Sequence, residues 1–82
     1  MAKVAVRFSR HARNRLRWQR LTRADALAVL EAPDWTEPSY AGRVNHWKRV
    51  RRGWLRVSTA IERSRTIIVT VTLRDRRPKG MR

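Results

Sequence analysis

"TIIVTVTLR", residues 66–74, is the most constraining stretch of this chain. β-branched residues fill it, and such side chains fit a pleated, half-buried surface better than a helix. Simple alternation points Ile67, Val69, Val71 and Leu73 inward and Thr70, Thr72 and Arg74 to the opposite face. The preceding stretch, "WLRVSTAIE" (54–62), divides the same way. Leu55, Val57 and Ile61 share one face; Trp54, Arg56 and Ser58 share the other. "RSR" (63–65) makes the turn between them, and "RRG" (51–53) turns into them from a further strand, "RVNHWKRV" (43–50). "VAVRF" (4–8) reads as one more short strand, and residues 35–40 as a loop with a short extended piece.

Between these lie two helices. Ser9 stands in a capping position before a helix over 10–20. "TRAD" (22–25) is a capping box, with Asp25 reaching back to Thr22, and the helix it opens ends near Ala32 because Pro33 cannot continue it. The expected fold is a single α+β domain over 1–82: two N-terminal helices packed on one face of an antiparallel sheet of three or four strands. "RDRRPKGMR" ends the chain, and a basic, frayed tail is expected from about 75 to 82.

A chain of 82 residues makes one small domain with a thin core. It has 0 cysteines, so neither a disulfide nor a thiolate zinc site reinforces it, and a reduced cytoplasmic setting is expected. "MAKVAVRF" has no long apolar run, which argues against a signal peptide or membrane anchor. The formal net charge is +15, carried almost entirely by arginine. Arginine's planar fork grips phosphate bidentately and stacks on bases, so nucleic acid or a strongly acidic protein is the expected partner. Residues 1–23 hold 8 bases and no acid; residues 24–42 hold four acids and no base; residues 43–82 hold 13 bases with Glu62 and Asp75. A ligand phosphate should meet the first and third segments.

On a helical wheel, Phe8, Ala12, Leu16 and Gln19 form the stripe that faces the sheet. Arg10, Arg13, Arg17 and Arg20 lie opposite, suited to electrostatic steering of RNA. His11, Arg15 and Trp18 fall at the edge of the stripe, one turn apart, where helix meets sheet. His11 at such a rim can contact substrate or can buttress the helix start; Arg15 can bind phosphate or pair with Glu31 or Glu37. Arg56, Ser58, Thr70, Thr72 and Arg74 project from the helix-free face, joined by Arg43, Asn45 and Trp47. Basic residues, hydroxyls and an exposed tryptophan make that face a plausible RNA platform. His46 reads as an ordinary strand residue.

RNA cleavage by the 2′-OH needs a base, an acid and cations around phosphorus. Histidine serves near neutral pH. Four of the six acids sit on the acidic segment, which argues against a carboxylate cluster for magnesium, and there is no zinc spacing, Gly-rich phosphate loop or Ser-His-Asp set. No metal and no other cofactor is expected.

"FSRHARNRLRWQRLTRADALAVLEAPD", followed by "GRVNHWKRV…WLRVSTAIE…IIVTVTL", resembles a family of small bacterial and phage domains with the signature H-A-x-x-R-[ML]-x-x-R-G-[IL]-[ST]. These are grouped with RelE-like toxins and the barnase, EndoU and colicin-type ribonucleases. His11, Ala12, Arg15, Leu16, Leu21 and Thr22 match in order; Gln19 and Arg20 stand where the pattern has arginine and glycine. The resemblance implies a RelE-like fold and a metal-independent endoribonuclease toxin. His11 and Arg15 would act with Thr70 and Thr72 as the catalytic set, and Arg10, Arg13, Arg17, Arg43, Arg56 and Arg74 would bind RNA. It also implies RNA, including ribosome-bound mRNA, and an acidic antitoxin as partners, with no membrane. Two other readings use the same face: a non-catalytic nucleic-acid-binding or regulatory module, and a module that docks on another protein.

Overall fold

The computed structural model describes residues 6–81. Its elements run β1 (Val6–Phe8), α1 (Arg10–Trp18), α2 (Arg23–Glu31), β2 (Trp35–Pro38), β3 (Val44–Val50), β4 (Gly53–Glu62) and β5 (Arg65–Arg74), with a single 3-10 turn at Tyr40–Gly42. The class is α+β, with both helices lending their apolar sides to one core. The sheet differs from the expected meander in two ways. It has five strands in the order β1-β5-β4-β3-β2, and β1 pairs with β5 in parallel while every other pair is antiparallel. The extended piece before Ser39 pairs with β3 as an edge strand, and β1 occupies the opposite edge. Residues 4 and 5 of the anticipated first strand lie outside the described residues.

Both helix starts form as their sequences predict. Ser9 Oγ accepts from Ala12 N at 3.0 Å. Thr22 Oγ1 accepts from Asp25 N at 3.1 Å while Asp25 Oδ2 accepts from Thr22 N at 2.8 Å, closing the capping box. α1 stops at Trp18, two residues earlier than anticipated, because the chain turns through a Schellman closure. Leu21 N donates to Leu16 O at 2.8 Å and Arg20 N to Arg17 O at 3.2 Å. The closure sets Arg20 at φ 56, the left-handed region that favours glycine.

The core joins Ala12 and Leu16 of α1, Ala26 and Val29 of α2, Leu55 and Val57 of β4, and Ile68 and Val71 of β5. β5 corrects the strict alternation read from its sequence. A β-bulge lies opposite Ser58 and Thr59: Thr70 pairs with Ser58 but Ile68 pairs with Thr59, leaving Val69 as the extra residue. Ile68 therefore enters the core in place of Ile67 and Val69, and Ile67 pairs with Ala60 on the other face. Beyond the bulge, Thr70, Thr72 and Arg74 keep their anticipated side, opposite Ser58, Arg56 and Trp54.

Two-residue turns set the hairpin registers. Arg63 and Ser64 both take positive φ, 49 and 65, as a type I′ turn requires. In the other hairpin Val50 pairs with Gly53, whose φ is 134, and a Cβ there would run into the Arg74 carbonyl. Two substitutions test these backbone demands by thermal or denaturant unfolding. Arg20→Gly should stabilise the protein by about 1 kcal/mol, since a left-handed non-glycine residue costs roughly 1–2 kcal/mol, which raises Tm by about 4–8 °C in a domain of this size. Gly53→Ala should destabilise by about 2–3 kcal/mol through clash and strain.

Candidate nucleic-acid interface

β1 ends at Phe8, so from Val69 onward the outer edge of β5 has no neighbouring strand. Side chains of the first helical segment bond to that edge instead. Ser9 N donates to Ile68 O at 3.0 Å and Ser9 Oγ to Val69 O at 3.1 Å. At the other end of α1, Gln19 Nε2 donates to Val71 O at 2.9 Å and to Arg15 O at 2.7 Å, while Gln19 Oε1 accepts from Leu73 N at 2.7 Å. An amide has the donor and the acceptor of a peptide group, so Gln19 takes the place of a strand neighbour. Arginine has no acceptor for Leu73 N. These anchors hold α1 alongside residues 68–73, and Arg15 stands half-buried between them.

The helix-free face centres on Arg56. Its guanidinium lies 5.6 Å from the centroid of the Trp47 ring, and Nη2 reaches Thr72 Oγ1 at 3.5 Å. Nε is buried with no hydrogen-bond partner among the described residues. Burial, then the neighbouring charge of Arg74 and the more weakly felt charge of Arg15, lower the pKa of Arg56, against the opposing pull of Glu37 and Tyr40. A guanidinium stays protonated in proteins, so crowding appears as repulsion rather than proton loss. The charges of Arg74 and Arg15 are thus felt at Arg56, which shares the helix-free face with Thr72 and Thr70.

The carboxylate whose charge is felt at Arg56 is already engaged. Glu37 accepts from Trp35 Nε1 at 3.3 Å, Asn45 Nδ2 at 3.2 Å and Trp47 Nε1 at 3.2 Å. Ser58 Oγ in turn donates to Asn45 Oδ1 at 2.6 Å. Burial raises the pKa of Glu37, but these three donors, with Arg56, outweigh it and bring it below the ordinary 4.5. Cations elsewhere in the domain end on neutral acceptors: Arg52 on Gln19 O, Lys48 on Ala32 O and Arg43 on Tyr40 Oη, each at 2.8 Å.

The terminal segment is not frayed. Pro78 is buried, and Gly80 approaches Trp35 so closely that a Cβ would lie 3.3 Å from Cζ2. The segment makes one wall of a groove of about 570 Å³, lined by Trp47, Arg56 and Arg74 together with Arg76, Arg77 and Lys79. Trp47 is only 6% exposed, not an open stacking surface, whereas Trp18 on α1 is 75% exposed.

The anticipated site residues divide as follows. Arg56, Thr70, Thr72 and Arg74 share the helix-free face, and Arg15, on the helix beside β5, is near enough for its charge to be felt at Arg56. His11 is exposed, one turn before Arg15, and makes no side-chain hydrogen bond among the described residues. Arg10 and Arg13 line a different groove with Arg7, Arg23 and Glu62. Arg17 is exposed, and Arg43 lies outside β3 with its guanidinium 5.0 Å from the Tyr40 centroid. His46 faces the helices, bonded to Thr59 Oγ1 at 2.9 Å, its pKa lowered by burial. Arg76, Arg77 and Lys79 were signalled in sequence only as charge; Pro78, which brings them to the groove, carries no pattern that distinguishes a docked tail from a free one.

No family model, curated protein or solved structure matches the chain. Among the described residues, no helix is long and apolar enough to cross a membrane.

Two measurements check this geometry. Gln19→Leu should lower stability by about 1–3 kcal/mol by leaving Val71 O and Leu73 N unsatisfied. Because the folded pKa of Glu37 is depressed, its contribution is present above pH 4.5 and fades as pH falls through the lower folded value. Stability of the wild type should drop across that acid interval, and Glu37→Gln should flatten the drop.

Proposed function

We propose that this protein binds RNA on its helix-free sheet face and cleaves it without a metal, as an endoribonuclease of the RelE-like toxin type. The observation that carries the reading is the groove that Arg56 and Arg74 line with Arg76, Arg77 and Lys79, where the charge of Arg15 is also felt at Arg56. A phosphate in the groove beside them relieves that repulsion through the guanidinium N–H groups that face it. Hydroxyls from Thr70 and Thr72 suit phosphate oxygens or a ribose 2′-OH.

His11 is the histidine on the same helix as Arg15, one turn away and open to solvent. In the cleavage step its imidazole takes the proton of the 2′-OH, and the 2′ oxygen bonds to phosphorus. The bond from phosphorus to the 5′ oxygen breaks, water protonates that departing oxygen, and a 2′,3′-cyclic phosphate remains. Arginines spread the charge that builds on the phosphoryl oxygens. In this reading ribosome-bound mRNA is a candidate substrate and an acidic antitoxin a candidate inhibitor.

One observation favours a second reading, binding without turnover: among the described residues, no hydrogen-bonded carboxylate or carbonyl orients His11. Purified protein with labelled RNA in EDTA distinguishes them. Cleavage is expected from the wild type, with at least a hundredfold loss in His11→Ala and undiminished RNA binding. Tight binding with intact RNA selects the second reading. Arg74→Ala and Arg56→Ala should each weaken binding and reduce its salt slope by about 0.7 for a single strand. Failure of the wild type to bind any RNA overturns both.

A further inference from the structure

The helix-free face carries a second arginine cluster, at the end of β5 away from Arg74. Arg7, Arg63 and Arg65 line a groove of about 330 Å³ with Glu62 and Ile67. Arg7, Glu62 and Ile67 also line the adjoining groove of about 480 Å³ that holds Arg10, Arg13 and Arg23. Six arginines thus line two adjoining grooves that share Glu62, where β1 passes beside the start of α1.

The two clusters are joined by a strip of different character. Between them, paired β4 and β5 residues on this face are Ala60 with Ile67 and Ser58 with Thr70. None is charged. β5 spans 10 residues, and at about 3.3 Å per residue the line from Arg65 to Arg74 covers roughly 30 Å. α1 runs along the outer side of that line, bonded to it at Ser9 and Gln19. A narrow, uncharged, hydroxyl-bearing strip with cations at both ends suits one polynucleotide backbone. Its phosphates would meet the arginines, and its riboses and bases the hydroxyls and apolar side chains.

We propose that the two clusters are the ends of one extended site for single-stranded RNA, with the strand running along β5. This rests on the RNA-binding reading above. The edge cluster supplies contacts that only a strand long enough to leave the Arg56 region can reach, so its contribution depends on length.

Fluorescence anisotropy with labelled oligouridines of about 4 to 16 nucleotides tests this. The His11→Ala background keeps the RNA intact. The triple variant Arg7→Ala, Arg10→Ala, Arg13→Ala changes exposed side chains, and a melting curve like that of the parent verifies its fold. For the longest oligomer it should weaken affinity at least tenfold and lower the salt slope by about 2, at about 0.7 per lost phosphate contact. For the shortest it should change neither, whereas Arg74→Ala should weaken both lengths. An unchanged affinity for the longest oligomer, or equal losses at both lengths, overturns the extended site while leaving the Arg56 reading intact. An RNA duplex bound more tightly than the single strand also overturns it. If the parent binds no oligomer at all, the RNA reading falls and this inference with it.

Discussion

The free edge of β5 is the constraint on which the arrangement depends. A strand edge with open N–H and C=O groups must be paired or covered. β1 covers only its first few residues, and two polar side chains of the helical segment complete the job. That choice ties α1 alongside β5 rather than only above the sheet. Arg15, a helix residue, consequently contributes to the electrostatics of the face that carries no helices. The site is a product of edge closure as much as of sheet curvature or loop placement.

Charge then organises what edge closure brings together. With a formal net charge of +15, the chain has too few acids to neutralise its arginines pairwise. The acids near this face or at helix starts serve neutral donors: Glu37 gathers two indoles and an amide, Asp25 caps α2, and Asp34 accepts from Arg49 N at 2.8 Å. Stability is drawn from a small apolar core and backbone satisfaction, and the arginines remain available to an external anion.

Much of this was readable from residue order because local rules decided it. The capping box at Thr22, the Ser9 cap, the hairpin turns and the faces of β4 follow from short-range chemistry. The pairing partner of β1 does not, since nothing local to Val6–Phe8 records which distant strand it meets. The bulge at Val69 was equally hidden: a run of β-branched residues has no side-chain contrast to mark where alternation breaks. Gln19 looked like a departure from a site motif, and its partners, Val71 O and Leu73 N, are backbone atoms that leave no sequence signature. The common face of Arg56, Thr72 and Arg74 could be read from register alone, because the bulge lies on the far side of Thr70 from them.

The tail that ends the described chain has a double duty. Buried Pro78 lines the groove together with Arg76, Arg77 and Lys79, and Gly80 lies against Trp35, all within one short segment without regular structure. Shielding of the indole and delivery of cations are therefore a single property. Any event that peels the segment from Trp35 uncovers that indole and withdraws three positive charges from the groove in the same motion, with no change in the sheet.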